Sequence, residues 1–380
     1  MPETIAKSEL IAVSVTPKTV WTFVRLTSSS SLEGFGEATL TGQEQAIAVV
    51  AAKIGPALIG TGINDSANIF SQLPFSSLPE ASFSSGVMQA MRDLEARSKG
   101  VPLAHLLGGM QRTSIPTYAN FNRRTLDRSP EGFAASAADA ISAGHQAFKI
   151  APFDDLTPAL SKADATPLIN TGVERIEAVR QEIGPGKRLM VDCHWRFQTA
   201  WALEVLDVLK PADLYWFECP IPETSDLIAD LVRIRSHANG QDVLLAGMEN
   251  AILRDGFAPV LEAGAYDVMM PDVKYAGGPD EMIHIAETFA EAGITFSPHN
   301  PSGPICHAQS LQICAALPDE AVLETQYDET PLFDELVSAG LPVISGGSAE
   351  LATTQQGIAV DLAQDVLNRL TAKLLWQAGS

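Results

Sequence analysis

Cysteines and basic residues are scarce in this chain, and it has no long apolar run. No stretch of its 380 residues approaches the roughly 18 apolar residues of a transmembrane helix. Because 46% of the residues are hydrophobic, we expect a large core and no membrane span. No CxxC pair is present, so we interpret the four cysteines as buried thiols rather than as ligands or nucleophiles: Cys193, Cys219, Cys306 and Cys314.

Positive charge is the second shortage. Only 25 Lys and Arg stand against 46 Asp and Glu, which gives a formal net charge of −21. Such a surface repels phosphate backbones and anionic membranes, so we expect neither nucleic acid nor a membrane as partner. A carboxylate substrate would need a cation inside its site, and a bound metal would provide one. The first ten residues show no secretion signal, so we expect a cytoplasmic protein.

The first third of the chain has the pattern of an α+β unit. Residues 8–40 contain three extended runs of a meander. Helical periodicity follows over 42–59 and 83–99, with Ser82 or Ser84 as candidate caps of the second helix.

From residue 114 the pattern changes to eight short apolar strands separated by seven helices. The predicted strands are SIPTYANF, QAFKIAPF, RLMVDCH, LYWFECP, VLLAGM, YDVMMPDV, ITFSPHN and AVLETQY. The predicted helices span about 131–144, 168–183, 198–209, 223–237, 251–264, 279–292 and 304–316. No glycine-rich phosphate turn follows the first strand, which favours a closed (β/α)8 barrel over an open doubly wound sheet.

The expected architecture is therefore α/β, in three parts. Residues 1–113 form an N-terminal α+β capping domain, and 114–345 form a (β/α)8 TIM-like barrel. The segment 346–380 completes the capping domain, through a last helix at about 359–376. The polar stretch 154–167 is expected to lengthen one loop on the active face.

Ionisable side chains recur where the predicted strands end, at intervals of roughly 23 to 31 residues, which one βα unit consumes. They are Asp192, Glu218, Glu249, Asp272, His299 and Glu324. Because the carboxyl ends of barrel strands meet at one face, these side chains are expected to converge there. The pattern predicts an active site.

Three of these residues lie on successive strands and offer only carboxylate oxygens: Asp192, Glu218 and Glu249. Hard oxygen ligands suit Mg²⁺ and do not suit zinc. No Arg or Lys stands beside them to explain them as ion pairs. We therefore expect a magnesium site.

The remaining ionisable residues predict acid–base chemistry. His299 follows the strand after Asp272, and a carboxylate on one ring nitrogen would make the other a good general base. His194 lies two residues after Asp192 on the same strand face, where it could be a fourth ligand or a general acid. Lys149 could balance the charge of a substrate carboxylate or act as a second candidate base.

The motifs of the chain resemble those of a known family. They are WTFVRL…GFGEATL, MRDLEARSKGVPLAHLLGG, VDCHWRF, WFECPIPE, AGMEN, MPDVKYAGG and SPHNPSGPICHAQSLQICAALP. Over nearly its whole length the chain resembles the enolase superfamily, and within it the mandelate racemase subgroup. The resemblance implies that the acidic triad binds Mg²⁺ and that Asp272 and His299 form a basic dyad. It also implies that Glu324 hydrogen-bonds the substrate carboxylate.

One departure from the subgroup points to the reaction. Its racemases end the second strand in Lys-x-Lys, whereas this chain has Lys149 followed by Ile150 and Ala151. The Asp-x-His at Asp192 and His194 resembles the D-galactonate and D-mannonate dehydratases, although Lys149 is unlike the second-strand residues of the mannonate enzymes. We expect dehydration of a sugar acid to a 2-keto-3-deoxy acid. Cycloisomerisation of a sugar lactone or anhydro sugar acid, racemisation or epimerisation, and a non-catalytic binding barrel are the alternatives.

The substrate itself is expected to be a small sugar acid bound by a homo-oligomeric enzyme. In the superfamily the capping domain closes over the barrel, which implies substrate contacts from the loops near 14–22 and 28–31. Strand-end amides at Asn120 and Asn122 are candidates for binding sugar hydroxyls. Arg123 and Arg124 are candidates for binding a second carboxylate.

Overall fold

The computed structural model describes residues 3–338, 340–370 and 372–379. The first unit is α+β, with an antiparallel sheet covered by helices. Its strands and helices are β1 (Ile5–Ser14), β2 (Val20–Ser28), β3 (Glu33–Glu37), α1 (Glu44–Ile54), α2 (Ser66–Gln72), α3 (Leu78–Ser98) and α4 (Leu103–Leu106). The long helix α3 packs against β3, and the small hydrophobic core of this unit lies between them.

Helix α3 begins earlier than the sequence pattern predicts. Ser77 is its N-cap and accepts a hydrogen bond from the backbone N–H of Glu80. The candidate caps Ser82 and Ser84 are wrong, because both are buried inside the helix. Pro79 in the first turn needs no backbone partner there, which favours the earlier start.

The second unit is built around a parallel sheet. Its strands are β4 (Ser114–Asn120), β5 (Ala147–Ile150), β6 (Arg188–Asp192), β7 (Trp216–Glu218), β8 (Leu244–Gly247), β9 (Val268–Met269), β10 (Thr295–Phe296) and β11 (Leu323–Gln326). Its helices are α5 (Pro130–Ser142), α6 (Lys162–Ile183), α7 (Thr199–Leu209), α8 (Ile228–Asn239), α9 (Ala258–Glu262), α10 (Pro279–Glu291) and α11 (Pro304–Ala316). Among the described helices, none is long and apolar enough to cross a membrane.

The parallel strands follow the order β10-β9-β8-β7-β6-β5-β4-β11. All eight predicted strands are present, although β9 and β10 have only two residues each. In the described part of the chain no ladder joins β10 to β11, and Ser297 Oγ bridges them by donating to the Val322 carbonyl at 2.7 Å. The predicted loop 154–167 is shorter than expected, because Ser161 caps α6 and starts it at Lys162.

The last segment returns to the first unit as a strand. After β11 come α12 (Leu332–Glu335), β12 (Ile344–Ser345), β13 (Ser348–Glu350), α13 (Gln364–Arg369) and β14 (Lys373–Gly379). Strand β14 pairs antiparallel with β1, which gives the sheet order β14-β1-β2-β3. Of the described residues in the predicted helix 359–376, only α13 is helical, and from Lys373 onward the chain is a strand, so the prediction is wrong for that part. Pairing satisfies the free backbone edge of β1, and Trp376 packs edge-on against Phe83 at 6.2 Å.

A buried carboxylate joins the two units. Glu37, the last residue of β3, accepts hydrogen bonds from the backbone N–H groups of Gly303 (2.8 Å) and Cys306 (2.9 Å). These groups lie at the N-terminus of α11, where a helix leaves donors unpaired. A residue of the capping unit thus caps helix α11 of the second unit, which begins shortly after His299 in the chain.

Close contact between α3 and β3 requires glycine at residue 36. A Cβ atom built there would lie 2.0 Å from the Gly86 carbonyl oxygen, a contact that only backbone movement could relieve. We predict that Gly36→Ala destabilises the protein by about 1–3 kcal/mol, the usual cost of overpacking. Thermal melting measures the effect. Gly62→Ala is the matched control, because its Cβ would meet nothing closer than 3.9 Å; equal melting temperatures for the two variants would contradict the packing argument.

Candidate active site

Three neighbouring strands bring the acidic triad together. Asp192 ends β6 and Glu218 ends β7, and the two residues are partners in the parallel ladder. Glu218 in turn pairs with Ala246 of β8, and Glu249 lies two residues after the end of that strand. One carboxylate oxygen from each of the three lies within 4.8 Å of the others, and all three side chains are buried.

The triad fits a hard divalent cation. Glu249 Oε1 is buried without a hydrogen-bond partner among the described residues. Burial, together with the charges of Asp192 and Glu218, raises the pKa of Glu249 well above its usual value. Carboxylate oxygens are the ligands that a hard divalent cation prefers. Such a cation would give Glu249 Oε1 a partner and would oppose the rise in the pKa of Glu249.

Lys149 lies next to this triad, in conflict with the prediction that no basic residue does. Its Nζ lies 2.7 Å from Glu218 Oε1 and 2.8 Å from Glu324 Oε1. The lysine is the penultimate residue of β5, and its long side chain reaches Glu218 on β7 although β6 lies between the two strands. Burial alone would lower the pKa of Lys149, but Glu218 and Glu324 raise it well above its usual value. The ammonium is therefore a fixed positive charge at the floor of the site.

Glu324 is engaged on both oxygens. Asn120 Nδ2 donates to Oε1 at 2.7 Å, next to the Lys149 contact, and the backbone N–H of Asn300 donates to Oε2 at 2.9 Å. The carboxylate lies below the surface of the site, with no exposed area. Its predicted contact with a substrate carboxylate stays a prediction.

Asp272 and His299 form the pair that the sequence predicts. His299 Nδ1 lies 2.8 Å from Asp272 Oδ2, while its Nε2 lies 3.6 Å from Glu249 Oε2, on the triad side. Burial lowers the pKa of His299, and the hydrogen bond to Asp272 opposes that effect. The imidazole is thus held in one orientation, and within the described part of the chain Nε2 makes no hydrogen bond.

Sequence reasoning missed Lys274. Its Nζ lies 2.5 Å from Asp272 Oδ2 and also donates to Ser302 Oγ. Burial alone would raise the pKa of Asp272, but Lys274 and His299 lower it, so the carboxylate stays ionised. Lys274 follows Asp272 by two residues in MPDVKYAGG, and strand-like alternation would have placed both on one face.

His194 stands at the opening of the site. Its Nε2 lies 2.7 Å from Asp192 Oδ2, and its side chain is 39% exposed. The backbone φ of 48° places it in the left-handed region, and its N–H donates to Asp192 Oδ1 at 2.8 Å. The charge of Asp192 raises the pKa of His194 above its usual value, against the effect of burial. The ring is therefore biased toward the protonated form.

A second missed residue supports the triad. Glu223, from the motif WFECPIPE, accepts hydrogen bonds from the Met248 backbone N–H at 2.7 Å and from Tyr266 Oη at 2.8 Å. Met248 has a φ of 75° and directly precedes Glu249. The hydrogen bond from Met248 to Glu223 stabilises this strained turn, which places Glu249 next to Asp192 and Glu218.

These groups surround a cleft of about 170 Å³. Its wall includes six of the predicted site residues, namely Asn120, Asn122, Lys149, Asp192, His194 and His299. The other four lie in direct contact with these residues or with the triad: Glu218, Glu249, Asp272 and Glu324. Ala151 also lines the cleft, and its methyl group offers no base there.

The expected contacts at the far end of the substrate are only partly met. Arg123 lines the cleft, but Arg124 does not and instead pairs with Asp139 and Asp328. Residues 28–31 do not line the described cleft, since Ser28 and Ser30 donate to Glu3 at the end of β2, and their contact with a substrate stays a prediction. The loop that precedes β2 does approach the cleft wall: Thr19 Oγ1 donates to Glu329, which pairs with Arg123.

A capping unit on a parallel α/β sheet, with an acidic triad where the strands end, is the arrangement of the enolase superfamily. Residues 3–108 match the mandelate racemase / muconate lactonizing enzyme N-terminal domain. Residues 132–366 match the enolase C-terminal domain-like family. The chain belongs to the mandelate racemase / muconate lactonizing enzyme family of the enolase superfamily. The predicted family and the prediction of an enzyme are confirmed.

Curated relatives include both dehydratases and a cycloisomerase. The chain is 27% identical to D-xylonate dehydratase of Haloferax volcanii, over 87% of this chain and 81% of the relative. It is 28% identical to D-galactonate dehydratase of Verminephrobacter eiseniae, over 80% and 78%. It is 29% identical to D-galactarolactone cycloisomerase of Agrobacterium fabrum, over 74% and 72%.

Solved structures share the fold over almost the whole chain. A mandelate racemase/muconate lactonizing enzyme from Jannaschia sp. CCS1 superposes with a TM-score of 0.85 at 23% identity, covering 96% of this chain and 97% of its own. A member of the enolase superfamily from Salmonella Typhimurium gives 0.85 at 22% identity, covering 99% and 100%. At these identities the likeness establishes the fold alone.

The fit of the triad to a divalent cation predicts a stability signature. At a Mg²⁺ concentration about 100 times the dissociation constant, binding to the native state adds about 2.7 kcal/mol of stability. We predict that Mg²⁺ raises the melting temperature of the wild-type protein. We predict that Glu249→Gln abolishes this rise, yet melts no lower than the wild type without metal, because the amide removes like-charge repulsion. Glu320→Gln, at an exposed position, is the control that keeps the rise. A full Mg²⁺ response from Glu249→Gln would contradict the assignment.

Proposed function

We propose that this enzyme is a magnesium-dependent acid-sugar dehydratase. It removes the proton α to a carboxylate and expels the hydroxyl from the β carbon as water, which leaves an enol that takes up a solvent proton at C3 and becomes a 2-keto-3-deoxy acid. The observation that carries the proposal is the placement of His299 and His194 on the wall of one cleft above the acidic triad. The named activities of the xylonate and galactonate relatives support the same reaction.

We also propose that the parallel sheet closes into a complete (β/α)8 barrel. Strands β4 and β11 already pair, so the gap lies between β10 and β11. The Ser297 contact with the Val322 carbonyl spans that gap at 2.7 Å. A closed barrel gathers its strand ends around one axis, which accounts for the meeting, at one site, of residues that lie on or directly after all eight parallel strands.

Asp192, Glu218 and Glu249 would hold the magnesium ion. When bound, Mg²⁺ supplies positive charge that stabilises the carboxylate of the substrate as its α-proton leaves. Lys149 adds a second positive charge at the floor of the cleft, and its contacts with Glu218 and Glu324 fix its position. The substrate carboxylate is thereby drawn to one end of the site.

His299 is the proposed base. Asp272 binds its Nδ1 at 2.8 Å, which leaves Nε2 as the atom that accepts the α-proton. Lys274 holds Asp272 ionised and in place, so that the imidazolium formed by proton transfer has a carboxylate partner. The base is therefore positioned by two buried groups that do not touch the substrate.

His194 is the proposed acid. Its Nε2 lies 2.7 Å from Asp192 Oδ2, and its partly exposed side chain lines the cleft. A proton from His194 lets the β-hydroxyl leave as water when the α-carbon releases its electron pair. Proton removal by His299 and proton donation by His194 together balance the elimination.

Cycloisomerisation is the second candidate, favoured by the match to the galactarolactone enzyme of Agrobacterium. It begins with the same removal of an α-proton by His299. Racemisation or epimerisation is less well supported, because Ala151 occupies the cleft wall where a second base is needed. Without that base, only one face of the α-carbon is served.

The two histidines have separable roles, which isotope exchange can test. His299→Asn is predicted to stop exchange of the substrate α-proton with deuterated water, because no other strong base faces that proton. His194→Asn is predicted to slow water loss by about 10²- to 10⁴-fold, the usual contribution of a general acid. Proton NMR of substrate and product measures both rates.

The exposed His284→Asn, on α10, is the control for either change and is expected to behave as the wild type. Normal α-proton exchange by His299→Asn would show that His299 is not the base. Undiminished water loss by His194→Asn would remove it as the acid and leave the dehydratase assignment without one.

A further inference from the structure

The cleft contains an arginine whose charge is already matched. Arg123 lines the wall, and its Nη1 lies 3.2 Å from Glu329 Oε2. The Glu329 side chain is only 6% exposed, whereas that of Arg123 is 37% exposed. Glu329 also accepts a hydrogen bond from Thr19 Oγ1 of the capping unit. The Glu329 carboxylate thus neutralises the charge of the Arg123 guanidinium, and Arg123 still lines the cleft.

A guanidinium in this state remains a donor without being a free cation. Arginine carries five N–H donors, and the contact with Glu329 occupies few of them. The remaining donors suit neutral oxygens such as hydroxyls. Arg124 gives no alternative, because Asp139 and Asp328 pair with it outside the cleft wall.

In the inner part of the site the buried carboxylates outnumber the buried amines. Five buried carboxylates converge there, namely Asp192, Glu218, Glu249, Asp272 and Glu324. Among the described residues in contact with them, Lys149 and Lys274 are the buried amines, and a divalent cation on the triad would add two further charges. The first carboxylate of a substrate uses that attraction. A second carboxylate would meet cations that are already paired, His194 beside Asp192 and Arg123 beside Glu329, and the uncharged amides of Asn120 and Asn122.

We propose that the enzyme selects monocarboxylic sugar acids with a hydroxyl-bearing far end, and that Arg123, set by Glu329 and Thr19, rejects dicarboxylic sugar acids. This inference rests on the proposed function and narrows its substrate class. Selectivity comes from a charge matched in advance, because like-charged groups brought together without a free counterion weaken binding.

The test uses acid pairs that differ only at the far end, D-gluconate against D-glucarate and D-galactonate against galactarate. Binding is measured by calorimetry on Mg²⁺-loaded His299→Asn, which holds the acids without turnover, and kcat/KM is measured on the wild type. We expect each monoacid to bind at least about tenfold more tightly than its diacid partner, as unfavourable charge juxtaposition implies.

A charge-freeing variant sharpens the test. Glu329→Gln is expected to improve diacid binding by at least about tenfold while monoacid binding changes little, because Arg123 then carries an unmatched charge. Thr19→Val is expected to shift preference the same way to a smaller extent, by loosening Glu329. Glu335→Gln on α12 is the matched control, since it removes one exposed carboxylate that pairs with Arg369. Its preference is expected to equal that of the wild type.

The outcomes separate this inference from the proposed function. Equal or tighter diacid binding, or a diacid preference unchanged by both Glu329→Gln and Thr19→Val, overturns the inference even if dehydration occurs. Selective binding of monoacids without water loss from any of them supports the inference and overturns the dehydratase proposal. Failure of all four acids to bind overturns the inference, whereas the dehydratase proposal is judged on D-xylonate as well.

Discussion

Crowding of buried negative charge is the constraint on which this site depends. Several carboxylates meet where the parallel strands end, and only two buried lysines answer them among the described residues. Lys149 bridges Glu218 and Glu324, and Lys274 serves Asp272, so Glu249 is left with an unpartnered oxygen. The imbalance creates the demand for a divalent cation. It also explains why the base and the acid can differ, since each histidine stands beside a different carboxylate.

The capping unit holds this charge cluster in place through polar contacts. Glu37 caps the helix that begins at Gly303, behind the segment that carries His299. Thr19 reaches Glu329 and through it the cleft wall at Arg123. The C-terminal strand β14 pairs with β1 and so forms the edge of the antiparallel sheet of the capping unit. The capping unit thereby contacts both the N-terminus of α11, just after His299 in the chain, and the Glu329–Arg123 pair of the cleft wall.

Sequence reasoning found the site because a strand-end rule is local. Asp192 and Glu218 each lie where an apolar run stops, and parallel strands place such ends at one edge. Long-range pairing was harder. The contact of Lys149 with Glu218 joins two strands that are not neighbours in the sheet. Strand β14 forms because it pairs with the free edge of β1, at the opposite end of the chain. Local helical periodicity competes with that pairing at the C-terminal segment and misled the prediction.

The central claim is that one cleft removes an α-proton and expels a β-hydroxyl with help from a divalent cation. The most direct measurement is proton NMR of D-xylonate, D-gluconate and D-galactonate incubated with the enzyme and Mg²⁺ in deuterated water. The account predicts loss of the C2 proton from the acid that is accepted, and a 2-keto-3-deoxy product carrying one deuterium at C3, only when metal is present. Interconversion of C2 epimers without loss of a hydroxyl, or the same product after complete removal of metal, would contradict it.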